Sequence, residues 1–208
     1  VDTIVGLGKA GCAIADKFSS YPEYKIFKVD SEGIEKKSKN CYLLPKHENP
    51  EKYEKSVRSM KTFFKSASQD VLFVLSGSGL VSGAALQILK SLQGRNINIL
   101  YIKPDLKFLG QINVYQERLV RNVLQEYTRS GMFDRMFLID NTKVEEVLGE
   151  VPIVGYYNKL NELIVSTIHM INVYNHQEPI HATPFDTGET TRISTFGILN
   201  IAKTNGQY

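Results

Sequence analysis

D-V-L-F-V-L-S-G-S-G-L-V-S-G, Asp70 to Gly83, decides the architecture. Its five apolar residues, Val71 to Leu75, run without polar alternation between Asp70 and Ser76-Gly77. A strand with one wet face alternates, whereas a strand covered on both faces reads as a continuous apolar run. A glycine-serine turn follows, and Val81 to Leu92 then has helical spacing. The same strand–turn–helix unit recurs outward in both directions. Upstream, Val1 to Val5 leads through Gly6 to Gly11 into a helix from Ala13 to Phe18. Tyr24 to Val29 is a second strand, and Cys41 to Leu44 is a short strand or a loop. Asn49 caps a surface helix over Pro50 to Phe64. Downstream, the strand Ile97 to Ile102 precedes a helix over Gln111 to Tyr127 with Leu119, Val123 and Tyr127 on one stripe. The strand Arg135 to Ile139 precedes a helix from Val154 to Tyr174. That helix is apolar nearly all round, which predicts burial on two sides. This order predicts an α/β domain with a doubly wound, mostly parallel sheet, helices on both faces, and a long central helix after it.

The chain has 208 residues, 42% hydrophobic and 23% charged, with formal net charge +3. That length suits one domain with a short extension, and that composition excludes wholesale disorder. The charge is too small to argue for nucleic-acid binding. No apolar run is long enough to span a membrane. No basic-plus-apolar leader opens the chain, although a start at Val1 leaves trimming open. Cys12 and Cys41 form no disulfide framework, so a cytoplasmic location is the expectation.

In doubly wound sheets, ligands sit at the carboxyl ends of the strands, so the strand-to-helix turns carry the candidate chemistry. G-L-G-K-A-G, Gly6 to Gly11, lets the backbone approach a phosphate at a helix N-terminus. Asp30, about 20 residues on, completes a dinucleotide-binding fingerprint. This supports a Rossmann-type NAD-binding oxidoreductase resting on Gly6, Gly8, Gly11 and Asp30. The Ser76 to Gly83 turn is no Walker loop, but its amides could form a second anion nest. Tyr157 and Asn161, one turn apart, share a helix face with Glu162 alongside. By spacing alone they read as a core aromatic and a buried polar contact. His176, Glu178 and His181 lack the further spacing of a metal site. Cys12, near a helix N-terminus, reads more simply as a small packing residue than as a reactive thiolate.

Taken in order, these stretches resemble the GTPase domain of the tubulin/FtsZ family. I-V-G-L-G-K-A-G-C-A, Ile4 to Ala13, resembles its first nucleotide loop, and F-K-V-D-S-E, Phe27 to Glu32, its second strand and loop. E-N-P-E, Glu48 to Glu51, resembles the Asn-Pro-Glu that opens a helix there. Asp70 to Ala85 resembles the strand and glycine-rich signature. I-K-P-D-L-K-F-L-G, Ile102 to Gly110, and I-D-N-T-K-V, Ile139 to Val144, resemble two further loops. Y-N-K-L-N-E-L, Tyr157 to Leu163, falls where the central helix of that family holds guanine. The resemblance implies GTP or GDP, with Mg2+ as an accompanying ion, and self-association. It would place phosphates on Gly8, Lys9, Ala10, Gly11 and Cys12 and on Gly77, Ser78, Gly79, Ser82 and Gly83. Asp30 and Asn141 would line the ribose and base side. Tyr157 would stack on the base, with Asn161 and Glu162 at its edge.

The departures bear on hydrolysis. Leu80 and Val81 replace a threonine and a glycine of the signature. Lys9 stands where the bacterial family usually has glycine, and Leu109 and Asn113 stand where it has a glutamate and an arginine. The acidic loop that activates the attacking water in the next subunit aligns with Ala182, Pro184 and Thr187, with Asp186 out of register. The expectation is therefore a nucleotide-binding domain over residues 1–178, including the central helix 154–174, with weak or absent hydrolysis. Residues 179–208 read as a loop and the start of a truncated or missing second domain. A scaffold that has lost nucleotide binding is the remaining alternative.

Overall fold

The computed structural model describes residues 1–35, 38–148, 154–177 and 191–195. Seven parallel strands form one sheet: β1 (Thr3–Leu7), β2 (Lys25–Asp30), β3 (Cys41–Leu43), β4 (Asp70–Leu75), β5 (Asn96–Lys103), β6 (Arg135–Asp140) and β7 (Ile193–Ser194). Their order is β3-β2-β1-β4-β5-β6-β7. The chain winds outward from β1 to β3, crosses back, and winds the other way from β4. The switch point is therefore the β1/β4 pair, where Leu7 stands opposite Leu75.

Strand periodicity divides the core into two layers. Val5, Val71, Phe73, Leu75, Ile97, Ile99 and Tyr101 face one layer, with Ile88, Leu92, Val120 and Leu124 from the helices α3 (Ala85–Ser91) and α4 (Gln111–Arg129) and the turn after α3. Ile4, Leu72, Val74, Leu100 and Ile102 face the other. There they meet Ile14 and Phe18 of α1 (Gly8–Phe18), Val144 of α5 (Asn141–Leu148), and Leu160, Ile164 and Ile168 of α6 (Tyr156–His176). This is the doubly wound arrangement that the alternation of strands and helices predicts.

Several elements differ from the sequence expectation. The helix after Asn49 is short, α2 (Pro50–Ser56), because Val57 turns extended and the Met60 amide donates to Ser91 Oγ. A separate 3-10 turn, Phe63–Ser66, follows. The expected helix over 81–92 begins as a 3-10 turn, Leu80–Ala84, with Ser82 N–H bonded to Gly79 O. In α4 the buried face is Glu117, Val120, Leu124 and Thr128, while Leu119 is exposed. Two polar residues hide that face from a hydropathy reading: Glu117 is paired with Arg121, and Thr128 Oγ1 donates to Leu124 O. Helix α6 is not buried all round, since Tyr157, Met170 and Tyr174 are exposed. α5 is an element the sequence pattern does not announce, although Asp140 accepts from Thr142 N at its start and Val144 and Leu148 share a face. Among the described residues, no helix is long and apolar enough to cross a membrane.

Two glycines bring α1 onto the switch point. A Cβ on Gly6 would lie 2.4 Å from Gly11 O, and one on Gly11 2.3 Å from Val74 O. Gly79, by contrast, has φ −80° and ψ 148° with nothing within 4 Å of an added Cβ. Gly11→Ala should therefore cost about 1–3 kcal/mol or more through backbone overpacking. Gly79→Ala should change stability by less than about 0.5 kcal/mol. Urea unfolding midpoints of the two variants check this, and equal midpoints would contradict the packing argument.

Candidate functional site

Both glycine stretches leave the strands that flank the switch point, so the topology brings them to one crevice. The first is less of a loop than its glycines suggest. α1 begins at Gly8, with Lys9, Ala10 and Gly11 already in its first turn. Gly8 has φ +70°, a backbone setting that favours glycine. Leu7 occupies the N-cap position and offers no side-chain acceptor. The first-turn amides therefore lack an intrahelical or capping partner, at the end where the helix dipole is positive. Lys9 is exposed and has no ion pair among the described residues.

Cys12 lies beneath this turn. Its Sγ is 3.5 Å from Gly6 O and 3.7 Å from Val29 O. Burial, with the Asp30 charge adding to it, pushes the thiol up to about 12. It is a packing residue, not a nucleophile at neutral pH.

The second stretch is held from below. Ser82 is buried, and its Oγ lies 2.8 Å from Gly77 O and 2.6 Å from Gly79 O, sharing one proton between them. The same oxygen accepts from Gln116 Nε2 at 3.3 Å. The space a side chain on Gly83 would need is filled by the Pro50 backbone, 2.2 Å from an added Cβ. Ser78 is half-buried and Gly79 is exposed. Ser76, Leu80 and Gly83 are half-buried as well, so Gly79 is the most open position of the stretch.

Asp30 ends β2 beside the first turn. It is buried, accepts from Ser31 N at 2.7 Å, and burial raises its carboxyl above the ordinary range. On the other side of the switch, Asp140 ends β6. Burial pushes its carboxyl up, but hydrogen bonds from Lys103 and Thr142 and the Lys103 charge outweigh that and hold it low. Asn141 follows, and its Oδ1 is buried without a hydrogen-bond partner among the described residues.

Tyr157 is 70% exposed, which overturns its reading as a core aromatic. It packs edge-on to Tyr156, with ring centroids 5.2 Å apart, in the first turn of α6. Burial and the neighbouring Glu145 of α5 push the Tyr156 phenol up, so this end of α6 packs beside α5, the helix that opens at the end of β6. Asn161 is half-buried. Glu162 pairs with Lys17 of α1 at 2.8 Å, which ties α6 to α1. The crevice thus gathers Gly8, Lys9, Ala10, Asp30, Ser78, Gly79 and Asn141, with Tyr157 at its edge. Gly11, Cys12, Gly77, Ser82 and Gly83 frame it from within. Ala182, Pro184, Asp186 and Thr187, like Glu178 and His181, lie outside the described residues. Among the described residues no group of three metal-ligating side chains forms. A cleft of about 310 Å³ at the opposite end of the sheet, among Val1, Asp70, Asn98 and Arg135, is remote from all of these.

No protein-family model and no curated protein matches the chain. Solved structures do. An empty FtsZ dimer from M. jannaschii matches with TM-score 0.65 and 17% identity, over 88% of this chain and 57% of that one. A GDP-bound CetZ1 monomer from Haloferax volcanii matches with TM-score 0.60 and 20% identity, over 80% of this chain and 58% of that one. The chain shares the fold of these proteins and spans a little under three fifths of their length.

The site makes a chemical prediction. In the native protein Cys12 should resist an aromatic disulfide reagent at pH 8 while the half-buried Cys41 reacts, and both should react in urea. Thiol titration reads this directly, and two fast native thiols would contradict the placement of Cys12.

Proposed function

We propose that this chain, folded as FtsZ and CetZ1 are, is a guanine-nucleotide-binding protein. The observation that carries the reading is the pair of unencumbered turns at the switch point. One is an uncapped helix start at Gly8, and the other is the open Ser78-Gly79 stretch. Phosphates would lie on the amides of Gly8, Lys9 and Ala10, with the Lys9 charge beside them, and against Ser78 and Gly79. Mg2+ would accompany them. Asn141 Oδ1, without a partner among the described residues, would suit a donor on the sugar or base, and Asp30 would line the ribose. Tyr157 would stack on the guanine, with Asn161 at its edge. Glu162, engaged by Lys17 in the last turn of α1, the end away from Gly8, would steady α6 against α1 instead of meeting the base edge. The GDP bound to the CetZ1 monomer supports this choice of nucleotide, and the FtsZ dimer supports self-association. A cytoplasmic location belongs to the same reading.

Asp30 favours a second reading. A buried carboxylate at the end of the strand next to β1, in a sheet of this order, is where dinucleotide folds meet the adenosine ribose. An NAD-dependent oxidoreductase would use it so. A thermal-shift screen with GTP, GDP, ATP and NAD separates the possibilities. Stabilisation by GTP and GDP alone supports guanine binding. Stabilisation by NAD alone supports the oxidoreductase, and no response supports a scaffold. In the first case Asn161→Ala should weaken GDP binding by about 1–3 kcal/mol, the cost of an unpaired polar partner. Calorimetry showing unchanged affinity would remove Asn161 from the site.

Turnover should be slow. A γ-phosphate needs an oriented water and charge stabilisation in its transition state. The positions aligned with the activating acidic loop are Ala182, Pro184 and Thr187. Phosphate release per chain should stay low and independent of protein concentration. A rate that climbs steeply with concentration and collapses in Asp186→Ala would restore an acidic loop in shifted register.

A further inference from the structure

A fully buried carboxyl side chain lies behind the second glycine stretch, outside the set that would touch a nucleotide. Glu117 of α4 has no exposed surface, and one of its oxygens, Oε2, has no partner among the described residues. Its other oxygen accepts from Arg121 Nε at 2.8 Å and from Tyr101 Oη at 3.3 Å. Tyr101, also fully buried, lies 3.2 Å through the same hydroxyl from Glu117 O. That hydroxyl is wedged against Gly77, where an added Cβ would stand 2.1 Å from Oη. From the other side, Ser82 Oγ takes the Gly77 carbonyl, and Gln116, the neighbour of Glu117, binds Ser82. Two consecutive residues of α4 therefore grip one loop residue, each through an intermediary.

A buried carboxylate is costly unless paired and hydrogen-bonded, so losing either the Arg121 or the Tyr101 contact is penalised and both partners are held in place. It fixes the phenol, and the phenol fixes the loop. We propose that Tyr101 is a positioning residue for the phosphate end of the ligand: held by Glu117 and Arg121, its hydroxyl props Gly77 so that Ser78 and Gly79 stay open to the crevice. Burial and the Glu117 charge keep the phenol protonated, so it serves as a donor throughout the neutral range. The inference rests on the guanine-nucleotide reading and adds a residue that touches no ligand atom.

The test compares GDP with GMP, which differ by the β-phosphate. Calorimetry on the wild-type chain, Tyr101→Phe and Glu117→Gln gives both affinities, with thermal unfolding alongside. In Tyr101→Phe, GDP binding should weaken about tenfold, while GMP stays within about twofold. Glu117→Gln, which keeps the shape and loses the charge, should shift the GDP-to-GMP ratio in the same direction. It also serves if Tyr101→Phe does not fold. A purely structural role would lower both affinities in step with stability. Parallel losses, or an unchanged ratio in a folded variant, would overturn the assignment. Wild-type chain that binds neither nucleotide would instead bring down the guanine-nucleotide reading, and this inference with it.

Discussion

Everything at the crevice depends on how close α1 comes to the sheet. Gly6 and Gly11 have no side chains, and the space where Cβ atoms would stand is taken by Gly11 O and Val74 O. That approach places the start of the helix over the β1/β4 boundary, with its first amides beside the turn that leaves β4. Cys12 fills the next position with a small neutral group, and Ile14, Ala15 and Phe18 continue the contact into the core. One methyl group at Gly11 would push the helix off Val74, and the two turns would part. The layer geometry and the candidate chemistry therefore share a single steric requirement.

The two turns differ in what holds them. The first is a feature of regular structure, a helix start whose amides are free because Leu7 cannot cap it. The second is built from side chains, with Ser82, Gln116 and Tyr101 constraining Gly77 from both faces. Charge is distributed with the same economy. Lys17, Lys28, Lys103 and Arg121 are each paired with a carboxylate. Lys9, exposed in the first turn of α1, has no such partner among the described residues, so its charge is available to an anion.

Much of this is legible in the sequence, and the failures have identifiable causes. Unalternated runs such as Val71 to Leu75 mark strands covered on both faces, and the order of strands and helices follows from them. The glycine turns at strand ends point to the correct rim. Their individual roles stay hidden: glycine for close packing at Gly11 and Gly83 and glycine for open backbone at Gly79 look identical in sequence. Helix faces are misjudged where polar residues are buried in pairs, as with Glu117 and Thr128 of α4. They are misjudged again where large apolar residues stay in water, as with Met170 and Tyr174 of α6. Hydropathy sees the residue type, whereas burial depends on a partner supplied from far along the chain. Tyr101 gives no local signal, because it reads as one more apolar strand residue until Glu117 is brought beside it.

Among the described residues, the outermost strands of the sheet are its two shortest, β3 with three residues and β7 with two. An unpaired strand edge is a template on which other chains can add. Three residues of β3 offer little length for that. On the far side, among the described residues, β7 pairs with β6 at Met136 and Phe137. β6 continues from Leu138 to Asp140, where the backbone turns at once into α5. A fold with this many parallel strands forms slowly and exposes edges while it does so. Ending one side on a strand as short as β3 limits the opportunity for edge-to-edge aggregation there during folding.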